Sequence, residues 1–279
     1  MSGRPPVDLV IIGAPKAGTT TLARWLELHP DAFLPAEKEV AYFDLNYHKG
    51  RAWYDEKYAP GGDAMRVDAT PAYMYVDVAL ERLAADAPNA KLVVILREPM
   101  DRVWSHYWYN RSMGIDPRSF RRILKAEARD KTNAPRGLPI GYIEVSRYTL
   151  RLERFMEHFD RSQLLVLFFD DLRTDPKGVW QRLCHHAGLA ETELPADGKA
   201  FNVGQMPRSA WVQHILLRSK PGKWPLNLGK RISKLNTRKG SYPKLPEHLR
   251  TQLEEMLHGE TMNLDAWLPG EVPESWPRV

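Results

Sequence analysis

Cysteine is nearly absent: Cys184 is the single one in 279 residues. One thiol rules out an intramolecular disulfide and any metal site built from several cysteines. Long apolar runs are missing too, and none approaches the roughly 20 residues that a membrane-spanning helix needs. The opening residues, Met1 to Asp8, lack the basic-then-apolar pattern of a secretory signal. These absences lead us to expect a chain at work in the reducing cytoplasm, with no membrane span. Repeats and low-complexity tracts are also lacking.

Hydrophobic residues make up 43% of the chain, enough for a sizeable core. The length suits one large α/β domain or two small ones, and we read 1–279 as a single domain. A net charge of +5 conceals an asymmetry: residues 199–250 hold twelve Lys/Arg against one acid, Glu247. Such a segment can meet nucleic acid, anionic lipid or an anionic small molecule. No nucleic-acid-binding motif accompanies it.

The densest chemistry lies between Asp8 and Leu26. Leu9 to Ile12 is a β-branched and aliphatic run that reads as a strand buried on both faces of a parallel sheet. Gly13, Pro15 and Gly18 interrupt it, and from Thr19 the apolar residues Leu22, Trp25 and Leu26 recur at helical spacing. A strand, a tight glycine-bearing loop and a helix start together bind phosphate, because the first helical N–H groups are unpaired and the dipole end is positive. Lys16 adds a full charge, and Thr19, Thr20 and Thr21 add hydroxyls. The general P-loop, G-x-x-x-x-G-K-[ST], fits Gly13 and Gly18, but Thr19 stands where its lysine belongs. The expected ligand is therefore phosphorylated, but is not a nucleoside triphosphate held with magnesium.

Gly13-Ala-Pro-Lys-Ala-Gly-Thr-Thr20 resembles the 5′-phosphosulfate loop of sulfotransferases that use 3′-phosphoadenosine 5′-phosphosulfate (PAPS) and release PAP. A second motif lies about eighty residues on. The buried strand Ala90 to Leu96 runs into Arg97, Pro99 and, eight residues after the arginine, Ser105. An arginine at the carboxyl end of a strand grips phosphate through paired charge-assisted bonds. This trio is similar to the family's 3′-phosphate motif. The resemblance implies one α/β domain with a mainly parallel central sheet flanked by helices. It assigns the nucleotide to Lys16, Ala17, Gly18, Thr19, Thr20, Arg97 and Ser105.

Other assignments follow from the same resemblance. Pro35 to Phe43 carries Glu37 and Glu39, and a carboxylate after a phosphate-binding helix can act as general base, although most glutamates only face solvent. The segment looks like the matching stretch of heparan sulfate sulfotransferases, which places Glu39 as the base. Asn46 to Tyr54 resembles the N-sulfotransferase branch and can help shape the substrate cleft, while Trp53 and Tyr54 themselves read as packing at a helix start. Several glycan sulfotransferases have lysine at the position of Ala69, which argues against a heparan-like acceptor here. Asp68 stays as a polar candidate or a structural residue. Tyr148 is either core or a nucleotide contact. Lys239 and Gly240 match a late lysine-glycine loop that closes over the nucleotide, with Arg238 and Ser241 as helpers. Relatives usually stabilise that loop with a disulfide, which one cysteine cannot form.

Asp170, Asp171 and Asp175 read as helix caps rather than metal ligands. A helix is expected from Tyr142 to Phe159. The function implied is sulfuryl transfer from PAPS, without a metal, to a hydroxyl or amine of a carbohydrate, lipid or small-molecule acceptor. The alternatives are a small-molecule kinase of the P-loop type and a non-enzymatic anion- or nucleic-acid-binding protein.

Overall fold

The computed structural model describes residues 4–129, 141–195, 205–218, 228–240 and 242–278. In chain order the elements begin with β1 (Leu9–Gly13), α1 (Thr19–Glu27), β2 (Ala32–Phe33), α2 (Gly50–Tyr58), β3 (Met65–Asp68), α3 (Asp77–Asp86) and β4 (Lys91–Leu96). Then come α4 (Pro99–Ser112), α5 (Phe120–Arg129), α6 (Tyr148–Met156), β5 (Leu164–Phe168), α7 (Phe169–Thr174) and α8 (Pro176–Ala187). The rest is β6 (Gln205–Pro207), α9 (Ala210–Arg218), α10 (Leu228–Asn236), β7 (Thr237–Lys239), α11 (Glu247–Met256) and α12 (Glu260–Trp267).

Backbone contacts group these elements into two units. The first takes in the described residues up to Glu98, those from Tyr148 to 195, and Leu264–Trp276. Its centre is a sheet in the order β2-β3-β1-β4-β5, parallel at every pairing. Parallel neighbours need crossovers, and the intervening helices supply them and cover the faces. All of β1 is buried, as are the five residues Leu92 to Leu96 of β4, so neither strand alternates in polarity. From β1 the chain builds β2 and β3 on one side of it and β4 and β5 on the other. Ligands in such sheets bind at the carboxyl edge where the order reverses. Here that edge carries the residues after β1, β3 and β4.

The second unit runs from Pro99 to Arg147 and resumes from 205 to Asn263. Met100, Val103 and Tyr107 of α4 meet Phe120, Ile123 and Leu124 of α5 and Leu249 and Leu253 of α11 in its core. β6 and β7 form a separate antiparallel ribbon, pairing Met206 with Arg238. The Asn236 side chain pins it, accepting from Ser209 N and donating to the Ser209 carbonyl. Hydrogen bonds thus hold the stretch before Gly240 in a chain whose one cysteine cannot form a disulfide.

The helix expected from Tyr142 to Phe159 is shorter than its apolar spacing suggests. Only α6 is α-helical, preceded by a 3-10 turn at Glu144–Ser146. The Glu127 carboxylate takes the N–H groups of Tyr142 and Ile143, and Arg147 at φ −83 and ψ 74 breaks the path. Asp175 does cap α8, its side chain accepting from Gly178 N. No described helix is long and apolar enough to cross a membrane.

Candidate functional site

The loop after β1 folds against the end of β4, with Ala14 N donating to the Ile95 carbonyl at 2.8 Å. Two of its residues adopt left-handed backbone: Lys16 at φ 70, and Gly18, the N-cap of α1, at φ 110. A lysine in that region is uncommon and costs energy, and such outliers cluster at ligand sites. Gly18 is required twice over. A side chain there would meet Leu172 Cδ2 at 2.9 Å, and both Ile95 Cδ1 and Phe169 Cδ2 at 3.3 Å. The N–H groups of Gly18, Thr19 and Thr20 lie outside the helix's own ladder, which begins with Thr21 N and Leu22 N on the Gly18 carbonyl. Ala17 and Thr19 are buried, while Lys16 and Thr20 are half-exposed. Such a grouping of amides, hydroxyls and a lysine around a helix N-terminus can hold an anion.

The carboxylate candidates separate clearly. Glu37 pairs with Lys57 of α2 at 2.7 Å, and that hydrogen bond holds its carboxyl below the ordinary value, weakening it as a base. Glu39 has a side chain 57% exposed and faces Lys38 at 3.3 Å. Lys38 also donates to Thr20 Oγ1 at 3.3 Å. One ammonium therefore spans the Thr20 hydroxyl and the Glu39 carboxylate, which brings Glu39 beside the start of α1. Beyond Glu39 the chain turns sharply. Ala41 sits at φ 51, and a π-helical turn, Tyr42–Asn46, follows. Tyr42 and Phe43 are buried there, and Tyr42 stacks on Tyr54 at 4.2 Å.

Arg97 follows β4 on the same edge, and its guanidinium lies over the Phe169 ring at 4.8 Å. Phe169 also borders Gly18, so one aromatic ring backs both the loop and the arginine. Tyr148 is fully buried, and its hydroxyl donates to the Arg97 carbonyl at 2.8 Å. That bond fixes the backbone from which the arginine projects.

The remaining assigned residues belong to the second unit. Ser105 is buried on α4, while Lys239 ends β7 and Gly240 follows it. Within the unit, α4 meets the stretch that follows Gly240. Trp104 Nε1 donates to the Pro243 carbonyl at 2.7 Å, and Trp108 stacks on Tyr242 at 6.0 Å. Ser241 lies outside the described residues. His106 points into the unit, where its Nδ1 lies 3.1 Å from an Arg102 nitrogen. Among the described residues no group of three or more His, Cys, Asp or Glu is placed to hold a metal ion.

Three features were not legible in the sequence. Lys38 carries no motif, and only the fold shows what it spans. Phe169 looks like the end of a strand. Asp68 is fully buried and accepts hydrogen bonds from three hydroxyls, those of Tyr54, Thr70 and Tyr73. The Met65-Arg-Val-Asp68 pattern hints at its position, but not at these partners.

The sulfotransferase domain family model matches residues 6–240. Mouse heparan sulfate glucosamine 3-O-sulfotransferase 3A1 is 30% identical over 64% of this chain and 45% of its own length. Mouse bifunctional heparan sulfate N-deacetylase/N-sulfotransferase 4 is 29% identical over 94% of this chain and 31% of its own length. The chain thus spans less than half the length of these curated relatives. Among solved structures, a sulfotransferase from Alicyclobacillus acidocaldarius superposes with a TM-score of 0.67 at 22% identity, covering 95% of this chain and 96% of that one. Mouse sulfotransferase SULT7A1 complexed with PAP gives 0.56 at 16% identity, covering 94% and 86%. With the domain model matched from residue 6 to residue 240, the chain belongs to the sulfotransferase family.

Proposed function

We propose that this chain transfers a sulfuryl group from PAPS to a hydroxyl or amine of a carbohydrate, lipid or small-molecule acceptor. The observation that carries the reading is the Thr20–Lys38–Glu39 bridge, which sets a carboxylate beside an anion cradle. Sulfuryl transfer, like phosphoryl transfer, depends mainly on positioning and on stabilising charge around an in-line displacement.

The residues fit that demand. The amides of Gly18, Thr19 and Thr20 hold the 5′-phosphate. Lys16 neutralises the charge that builds on the departing phosphate oxygen. Arg97 grips the 3′-phosphate, and Tyr148 holds the Arg97 backbone. Glu39 takes the proton from the attacking hydroxyl or amine. The names of the relatives favour a glycan acceptor, and Ala69 argues against heparan itself.

The test is transfer of radiolabel from PAPS across a panel of glycans, lipids and small hydroxylated or amino compounds. We expect labelled product and PAP from at least one acceptor, and none with Lys16→Ala. Turnover by Lys16→Ala equal to wild type would contradict the reading.

A further inference from the structure

We propose that Asp68, acting through Thr70 and Tyr73, is the positioning residue that fixes the segment carrying Glu39. The inference rests on Glu39 being the base. Asp68 ends β3, next to β1, on the carboxyl edge of the sheet. Its carboxylate has no exposure, and Tyr54, Thr70 and Tyr73 around it are all within 1% of complete burial.

The hydrogen bonds have a direction. Thr70 Oγ1 donates to Asp68 Oδ1 at 2.6 Å, and Tyr73 OH donates to Asp68 Oδ2 at 3.0 Å. A carboxylate only accepts, so it obliges both hydroxyls to point their hydrogens at it. Their lone pairs then face the other way, toward the segment after Glu39. Ala41 N donates to Thr70 Oγ1 and Phe43 N donates to Tyr73 OH, each at 3.3 Å. Tyr54 OH completes the carboxylate shell at 2.9 Å.

These two amides are where the chain needs holding. Ala41 has a β-carbon and yet sits at φ 51, a strained conformation that persists only when its surroundings impose it. It begins the π-helical turn, with the N–H groups of Leu45 and Asn46 both directed to its carbonyl. Arg82 holds the carbonyls of Phe43 and Asp44 from the other side. Amides 41 and 43 are gripped by Asp68's partners, and Glu39 lies two residues before the first. An unpaired carboxylate in such a place is costly, and a family of polar groups tied to one anion is a rigid anchor. Burial pushes the Asp68 carboxyl up to about 6, so it is ionised and acceptor-only at neutral pH.

The experiment uses the full chain with Thr70→Val and Tyr73→Phe, each nearly isosteric, and reads two quantities. By hydrogen exchange, Thr70→Val removes protection from the Ala41 amide, and Tyr73→Phe from the Phe43 amide. In turnover, each lowers kcat roughly ten- to a hundredfold with PAP affinity unchanged, since misplacing a reacting group by about 1 Å costs on that order. Combined with Glu39→Gln, neither causes a further loss, because both act through the same carboxylate. Full kcat in variants whose amides have lost protection would overturn the inference. So would losses that multiply with Glu39→Gln, which mark general damage. Normal turnover by Glu39→Gln alone would instead overturn the base assignment, and the exchange data would still report whether Asp68 holds the segment.

Discussion

Gly18→Ala puts the loop geometry to a quantitative test. The new methyl meets two obstacles. The backbone at φ 110 disfavours any β-carbon, at about 1–2 kcal/mol on the scale of left-handed conformations. The methyl also lands 2.9 Å from Leu172 Cδ2 and 3.3 Å from Ile95 and Phe169, inside a packed core. Overpacking of that kind adds about 1–3 kcal/mol. The sum is roughly 2–5 kcal/mol of stability. Gly50→Ala is the control: its φ is 81 and nothing lies within 4 Å of the added carbon. It should lose only the backbone part, about 1–3 kcal/mol, since φ 81 with ψ 164 is a glycine-only region. Urea denaturation followed by tryptophan fluorescence measures both, and calorimetry with PAP measures the site. Gly18→Ala should lose more stability than Gly50→Ala and should also bind PAP weakly, because Phe169 backs Arg97. Equal losses in the two variants, with PAP affinity intact, would refute the argument.

Other outcomes follow from single observations. Lys38→Met removes the ammonium between Thr20 and Glu39 and should lower kcat roughly ten- to a hundredfold in a PAPS turnover assay. Asp68→Asn should flatten the pH dependence of stability. Desolvation raises the folded Asp68 carboxyl from 3.8 to about 6, against hydrogen bonds from Thr70, Tyr54 and Tyr73 that lower it. The folded state therefore binds this proton more tightly than the unfolded state, and wild-type stability gains from Asp68 as pH falls from about 6 toward 4. Unfolding midpoints of the two proteins at pH 4.5 and 7.5 expose the difference. Cys184 is buried, and desolvation pushes its thiol up to about 11. Ellman's reagent should therefore stay silent on the native protein and register one thiol in denaturant.

β1 and β4 were readable because each is an unbroken apolar run, and both stand at nearly the lengths their residues suggest. The loop was readable because Gly18, Lys16 and Thr19 have few other reasons to occur together. What escaped the sequence was everything decided by contacts distant in the chain. Tyr142 to Ser146 falls inside the expected helix but is not α-helical, because Arg147 at φ −83 and ψ 74 breaks the path between the 3-10 turn and α6. Tyr148 offered two readings; it is buried, and its hydroxyl donates to the Arg97 carbonyl, a partner that the sequence spacing does not reveal. Asp68 was ambiguous for the same reason, since its three hydroxyl donors come from α2 and from the turn after β3.

The most direct test of the central claim, a donor-nucleotide site on the loop after β1, is calorimetric titration with PAP beside ADP and ATP, with and without magnesium. The account predicts PAP bound more tightly than ADP, independent of magnesium, and weakened by Arg97→Ala. Preference for ATP with magnesium would contradict it and return the loop to the kinases.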